Sequence, residues 1–173
     1  ASNLYTTAFP AVIHNAREGD IFIFEAGVND YYQPNPTVGG SANRDNMKIY
    51  ASRIAKEAKE AGLNTILVNP NVTASPNQFG ETMLFGQIMI DTADEQNVQS
   101  IDLTKRTYDL FMKLYNGDLT KVKQNFGVIK DNTHTSYLGA MKYASIIAGE
   151  LYRLGYTDLI NTEFEYSKTD KDG

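Results

Sequence analysis

Two short segments carry side chains whose spacing suits acyl chemistry: Gly27-Val28-Asn29-Asp30 and Asp131-Asn132-Thr133-His134. An aspartate three residues ahead of a histidine on a turn can accept the imidazole Nδ1–H. That fixes the tautomer and leaves Nε2 free to take a proton from a hydroxyl nucleophile. Asp131 and His134 thus read as the orienter and base of a triad. The Asn29 amide offers two N–H donors at a strand end, where they can point at the oxyanion developing on an acyl carbonyl. Taken singly, each segment has a plainer reading, D-x-x-H as a helix N-cap with an exposed histidine and G-x-N-D as a turn. Their order gives the pair its weight: a buried strand runs into the first segment, and a final helix opens out of the second.

The elements that position these segments follow from hydrophobic periodicity. A helix-like pattern from Leu4 to Arg17, despite Pro10, leads through Glu18-Gly19-Asp20 into Ile21-Phe22-Ile23-Phe24-Glu25-Ala26. That apolar run predicts a strand buried on both faces, as in a parallel sheet covered by helices. Met47, Tyr50, Ile54, Ala58 and Ala61 recur at helical spacing up to Gly62. Strands follow at Thr65–Pro70 and Val98–Leu103, with helices over Glu81–Asn97 and about Thr104–Tyr115. Residues 116–132 read as irregular. Ser136 to Gly155 reads as a closing helix that packs through Met141, Ala144, Ala148, Leu151 and Tyr152, with Thr135 and Ser136 available as caps. Strands alternating with helices argue for βαβ units in a doubly wound sheet. In such sheets functional groups gather beyond the carboxyl ends of the strands. Tyr31 and Tyr32, with Asn77, Gln78 and Phe79, fall at such ends and can line a carbohydrate cleft through aromatic faces and amides.

From the Gly27-Val28-Asn29-Asp30 block onward the chain resembles SGNH (GDSL-type) serine esterases. The stretch Asp131-Asn132-Thr133-His134-Thr135-Ser136, followed by Gly139-Ala140, is similar to rhamnogalacturonan acetylesterases and related carbohydrate acetylesterases. The resemblance covers roughly residues 8 to 155. It implies a flavodoxin-like α/β/α sandwich with a parallel sheet. It also implies Asn29 as oxyanion donor, Asp131 and His134 as triad members, and Gly27 as the residue that keeps the backbone close to substrate. The family's Gly-Asp-Ser segment is not seen: Gly19-Asp20 precedes Ile21, and Gly117-Asp118 precedes Leu119. Ser41 lies in the loop after the first block, Ser52 and Ser145 lie in helices, and Ser136 is better used as a cap. The nucleophile is therefore expected upstream of Ala1 or on a companion N-terminal fragment, together with strands flanking Ile21–Phe24. Residues 1–160 are expected to form the C-terminal part of one hydrolase domain, and 161–173 a polar tail or linker.

Composition narrows the rest. Sixteen Lys plus Arg against 21 Asp plus Glu give a formal charge of −5, which leaves no basic footprint for nucleic acid or an anionic membrane surface. The absence of cysteine removes disulfides, thiolate catalysis and Cys-ligated zinc. Two histidines without clustered carboxylates make no metal site, and His14 reads as a partly packed helix residue. No G-x-G-x-x-G or Walker loop follows a strand, so neither a dinucleotide nor a nucleoside triphosphate is expected, and no cofactor is called for. The expected partner is an acetylated carbohydrate or other ester, and the expected location is secreted or extracellular. Two rivals remain: a lipase or lysophospholipase of the same superfamily, and a non-catalytic carbohydrate-binding module.

Overall fold

The computed structural model describes residues 1–27, 44–74, 81–127 and 133–160. The protein is α/β, with helices packed around a parallel sheet. The chain divides into two compact units, one of Ala1–Pro70 with Glu81–Asp102 and the other of Asn71–Gly80 with Leu103–Gly173.

The first unit holds the sheet. Strands β1 (Ile21–Glu25), β2 (Asn64–Val68) and β3 (Gln99–Ile101) lie in the order β1-β2-β3, all parallel. Phe24 pairs with Leu67, and Leu67 in turn with Ser100. Strand β2 is central and buried on both faces: Thr65, Ile66, Leu67 and Val68 are all inside. Strand β1 departs from the sequence expectation. It lies at an edge of the described sheet, with Phe24 buried but Ile23 42% exposed. Its apolar run therefore does not amount to burial on both faces here.

Helix α3 (Arg44–Glu60) and helix α4 (Glu81–Gln96) cover the sheet. Met47, Ala51, Ile54, Ala55 and Ala58 recur at helical spacing on α3 and meet Phe24, Leu67, Met89 and Ala93 in one apolar cluster. The N-terminal helical pattern is broken where the sequence reading ran it through. Helix α1 (Ser2–Thr7) and helix α2 (Phe9–Asn15) join at Ala8, which puts Pro10 in the first turn of α2. There its missing N–H costs no internal bond. Tyr5 of α1 donates its hydroxyl to Glu57 at 2.6 Å, and Phe9 of α2 packs 5.7 Å from the Phe22 ring.

The second unit is helical among its described residues. Helix α5 (Leu103–Tyr115) matches expectation, whereas helix α6 (Leu119–Phe126) lies in the stretch read as irregular. Asp118 caps α6 by accepting from the backbone N–H groups of Thr120 and Lys121, and Val122 is buried. The final helix α7 (Tyr137–Arg153) is followed by a 3-10 turn at Thr157–Leu159. Phe126 stacks between Phe111 and Tyr143, at centroid distances of 5.7 and 6.5 Å. Glu150 of α7 takes an ion pair from Arg106 of α5 at 2.8 Å and another from Arg153. The buried side of α7 is Gly139, Tyr143, Ile146 and Leu151. Of the residues expected to pack, Leu151 is buried and Ala148 half-buried, whereas Met141, Ala144 and Tyr152 are exposed.

Candidate active site

In the second unit the segment before α7 is held in three ways. Gly127 and Thr135 form an antiparallel bridge. Ser136 donates its N–H to the Phe126 carbonyl at 2.9 Å, and its hydroxyl accepts from Gly139 N–H at 3.1 Å, which makes it the N-cap of α7. Gly139 fits because it has no Cβ. An added Cβ would overlap the Phe126 carbonyl oxygen and stand 2.5 Å from Thr135 Cγ2. The close approach of the first turn of α7 to the end of α6 thus requires glycine. Thr133 and His134 are carried on this braced turn, with His134 exposed.

His134 lines a shallow cleft of about 10 Å³, room for about one water molecule. Thr133 and Thr135 flank it, and Tyr143 of α7 contributes a phenol. Helix α6 supplies Val122, Phe126 and Gly127, mostly apolar surface. Asn71, Thr73 and Ala74, from the loop after β2, complete the lining. That loop is fixed through Thr107, a fully buried residue of α5. Its hydroxyl accepts from Val72 N–H at 2.9 Å and donates to the Leu103 carbonyl at 2.7 Å. The Tyr143 phenol is pushed well above its ordinary value by burial, an effect opposed by its hydrogen bond with the Asn71 side chain. Across the neutral range it stays protonated and keeps its donor. The cleft therefore sets an imidazole beside hydroxyl and amide groups over an apolar floor.

In the first unit Gly27 follows β1 with φ at +138°, and a Cβ there would meet Pro70 Cγ at 2.8 Å. Both the dihedral and the close approach to Pro70 call for glycine on structural grounds. At the ends of β2 and β3, Asn69 is buried and donates to Asp102 at 2.7 Å, with its own N–H on the Ile101 carbonyl at 3.3 Å. Asn29, Tyr31, Tyr32, Asn77, Gln78, Phe79 and Asp131 lie outside the described residues, as does Ser41. Ser52 and Ser145 sit within α3 and α7 as the periodicity predicts, and Ser145 donates to the Met141 carbonyl at 3.0 Å. His14 is exposed at the end of α2, not packed.

Sequence reasoning did not single out Asn71, Thr73 or Tyr143 as cleft residues, nor the Asn69–Asp102 pair. A signal existed for four of the five. Asn69, Asn71 and Thr73 follow one strand and Asp102 follows another, the positions where polar groups in such sheets converge. Tyr143 carried no such mark, because a tyrosine on a closing helix reads as core. Among the described residues no group of three or more His, Cys, Asp or Glu is placed to hold a metal ion. Nor is any described helix long and apolar enough to cross a membrane.

No protein-family model matches the chain, and no curated protein sequence matches it. Solved structures do. Protein YxiM from Bacillus subtilis aligns with a TM-score of 0.74 at 19% identity, covering 90% of this chain and 43% of that one. Variants of Axe2, an acetyl xylan esterase from Geobacillus stearothermophilus, align as well, two of them as follows. The first has a TM-score of 0.62 at 18% identity, and the second, a catalytic mutant, 0.60 at 17%; each covers 81% of this chain and 62% of Axe2. The chain thus spans less than two thirds of either protein's length. The likeness is one of fold, and it agrees with the α/β architecture of a parallel sheet covered by helices expected from the sequence.

Proposed function

We propose that the chain is the base-bearing part of a serine ester hydrolase that removes acetyl groups from a polysaccharide. His134 acts as general base, Asp131 orients it, and Asn29 donates to the oxyanion. The observation that carries this reading is the braced presentation of His134 at a cleft, held by the Ser136 cap, the Gly127–Thr135 bridge and the close seat of Gly139. The fold shared with an acetyl xylan esterase supports the substrate class. The nucleophilic serine belongs to sequence outside residues 1–173, since no Gly-Asp-Ser occurs within them. In the reaction the serine oxygen attacks the acetyl carbonyl carbon while its proton passes to His134. As the bond from the acetyl carbon to the sugar oxygen breaks, that proton passes from His134 to the departing oxygen, which leaves as a hydroxyl, and an acetyl-enzyme remains. Water, deprotonated by His134, releases acetate and restores the serine.

The test is acetate release from acetylated xylan by the intact polypeptide that contains residues 1–173, with and without His134→Ala. Loss of a triad member lowers turnover by about four orders of magnitude or more while the fold persists. Activity retained within tenfold would remove His134 from the mechanism. Labelling with a serine-reactive phosphonate locates the nucleophile, and a modified serine within 1–173 would overturn its placement outside them.

A second reading, a carbohydrate-binding module without catalysis, is favoured by the missing Gly-Asp-Ser. It predicts glycan binding by the intact polypeptide with no phosphonate labelling.

A further inference from the structure

Every residue that lines the cleft beside His134 belongs to the second unit. Within that lining Tyr143 keeps only 9% of its surface exposed, and its ring is fixed against Phe126. Asn71 is half-buried in the loop after β2. The hydrogen bond between the two runs from the amide N–H to the phenol oxygen. It opposes the rise in the phenol's pKa and so favours the ionised form, which can only accept. The other amide N–H of Asn71 goes to the Val72 carbonyl at 3.1 Å. Both N–H groups of that amide are thus spent, and its Oδ1 has no donor among the described residues. The phenol accepts from Asn71 and keeps its own proton, which has no acceptor among the described residues. A donor and an acceptor therefore stand side by side without partners at an enclosed site, where each costs free energy until it is met. The space they line is about 10 Å³, room for about one water molecule, and an enclosed water makes about three hydrogen bonds.

We propose that Tyr143 and Asn71 hold a single water molecule beside His134, the phenol donating to its oxygen and the amide Oδ1 accepting one of its protons. The second proton is left for the imidazole, which lines the same space. On the esterase reading above, on which this part rests, it is the water that releases acetate. With Asp131 holding the Nδ1–H, Nε2 takes that second proton as the water oxygen attacks the acetyl carbonyl carbon. The bond from that carbon to the serine oxygen breaks, the proton passes from His134 to the serine oxygen, and acetic acid leaves and ionises. Tyr143 and Asn71 act on this half of the reaction, because the first half uses the serine hydroxyl and no water.

Two measurements on the intact polypeptide test the proposal. A crystal structure that resolves ordered water is expected to show one water oxygen in hydrogen-bond reach of Tyr143 Oη and Asn71 Oδ1, and to lack it in Tyr143→Phe. A dry cleft in the parent overturns the site, and so does a phenol that donates to a protein group. Stopped-flow hydrolysis of p-nitrophenyl acetate then separates acetylation, seen as the initial burst, from release of acetate, seen as the steady rate. The steady rate of Tyr143→Phe is expected to fall about tenfold further than its burst rate, the worth of one hydrogen bond. Burst and steady rates that fall together, or a steady rate that does not fall, overturn the use of this water in deacetylation. Asn71→Ala, which removes the acceptor and leaves the phenol, takes the place of Tyr143→Phe if the latter does not fold. A parent without ester hydrolysis overturns the esterase reading and the water's part in it, while the crystal still decides the water site by itself.

Discussion

Gly139→Ala is expected to loosen the turn that carries His134, and the size of the effect can be worked from the packing. The new methyl group would stand 2.5 Å from Thr135 Cγ2 and overlap the Phe126 carbonyl oxygen, which already accepts the Ser136 N–H at 2.9 Å. A side chain can rotate away, but a hydrogen-bonded backbone carbonyl cannot, so the clash belongs at the upper end of overpacking costs, about 3 kcal/mol. Alanine returns up to about 1 kcal/mol by stiffening the unfolded chain and favouring helix. The net loss is about 2 kcal/mol, a fall in Tm of roughly 4–8 °C for a chain of this size. Differential scanning calorimetry measures it. Adding Thr135→Ser, which deletes Cγ2 and keeps the hydroxyl, should restore only part of the loss because the carbonyl contact remains. A Gly139→Ala protein that melts at or above the parent temperature would refute the seat of α7 on the end of α6, and with it the bracing of His134.

Thr107→Val keeps the shape of a fully buried side chain but leaves the Val72 N–H without its acceptor. It should cost about 1–3 kcal/mol in urea unfolding, and a neutral result would show that the loop after β2 is not held by α5. Asp118→Ala removes the cap of α6 and should cost about 1 kcal/mol, with little change for Asp118→Asn. Tyr143 has its folded pKa raised above the unfolded value of about 10, so its contribution is complete below that pH and is lost as pH rises toward the folded value. Unfolding free energy should therefore fall more steeply above pH 10 in the parent than in Tyr143→Phe. Parallel slopes would contradict the burial of the phenol.

The parts of the fold legible in sequence were those where local pattern and final burial coincide. The run at residues 65–68 is apolar and entirely inside, and Met47, Ile54 and Ala58 recur on the side of α3 that faces the core. Pro10 was readable as a break, because a residue without an N–H belongs in a first turn and not in the middle of a long helix. Helix α6 was concealed by Asn116-Gly117, which ends α5 and makes the stretch look irregular. Asp118 followed by Leu119, Val122 and Phe126 was the signal of a new capped helix. For α7 two apolar stripes compete, and hydropathy cannot say which one turns inward. The buried choice depends on Gly139 fitting against Phe126, a contact between residues 13 apart in sequence. At the site, the Asp131–His134 spacing suggested the chemistry proposed above. The cleft around His134 depends on Asn71, Thr73 and Tyr143, which only the folded chain brings together.

The division of the chain also sets an order of events during synthesis. The first unit ends at Asp102, while residues 71–80, made earlier, belong with sequence that begins at Leu103. As the chain grows, the sheet with α3 and α4 can close before any of α5 exists. The stretch from Asn71 to Ala74 then waits with the Val72 N–H unclaimed, because its acceptor lies 35 residues later on Thr107. A nascent chain halted near Asp102 would thus carry β1, β2 and β3 and an unfinished loop, with the hydroxyl and amide groups of the cleft still in water. The surroundings of His134 thus come together only after α5 has been made.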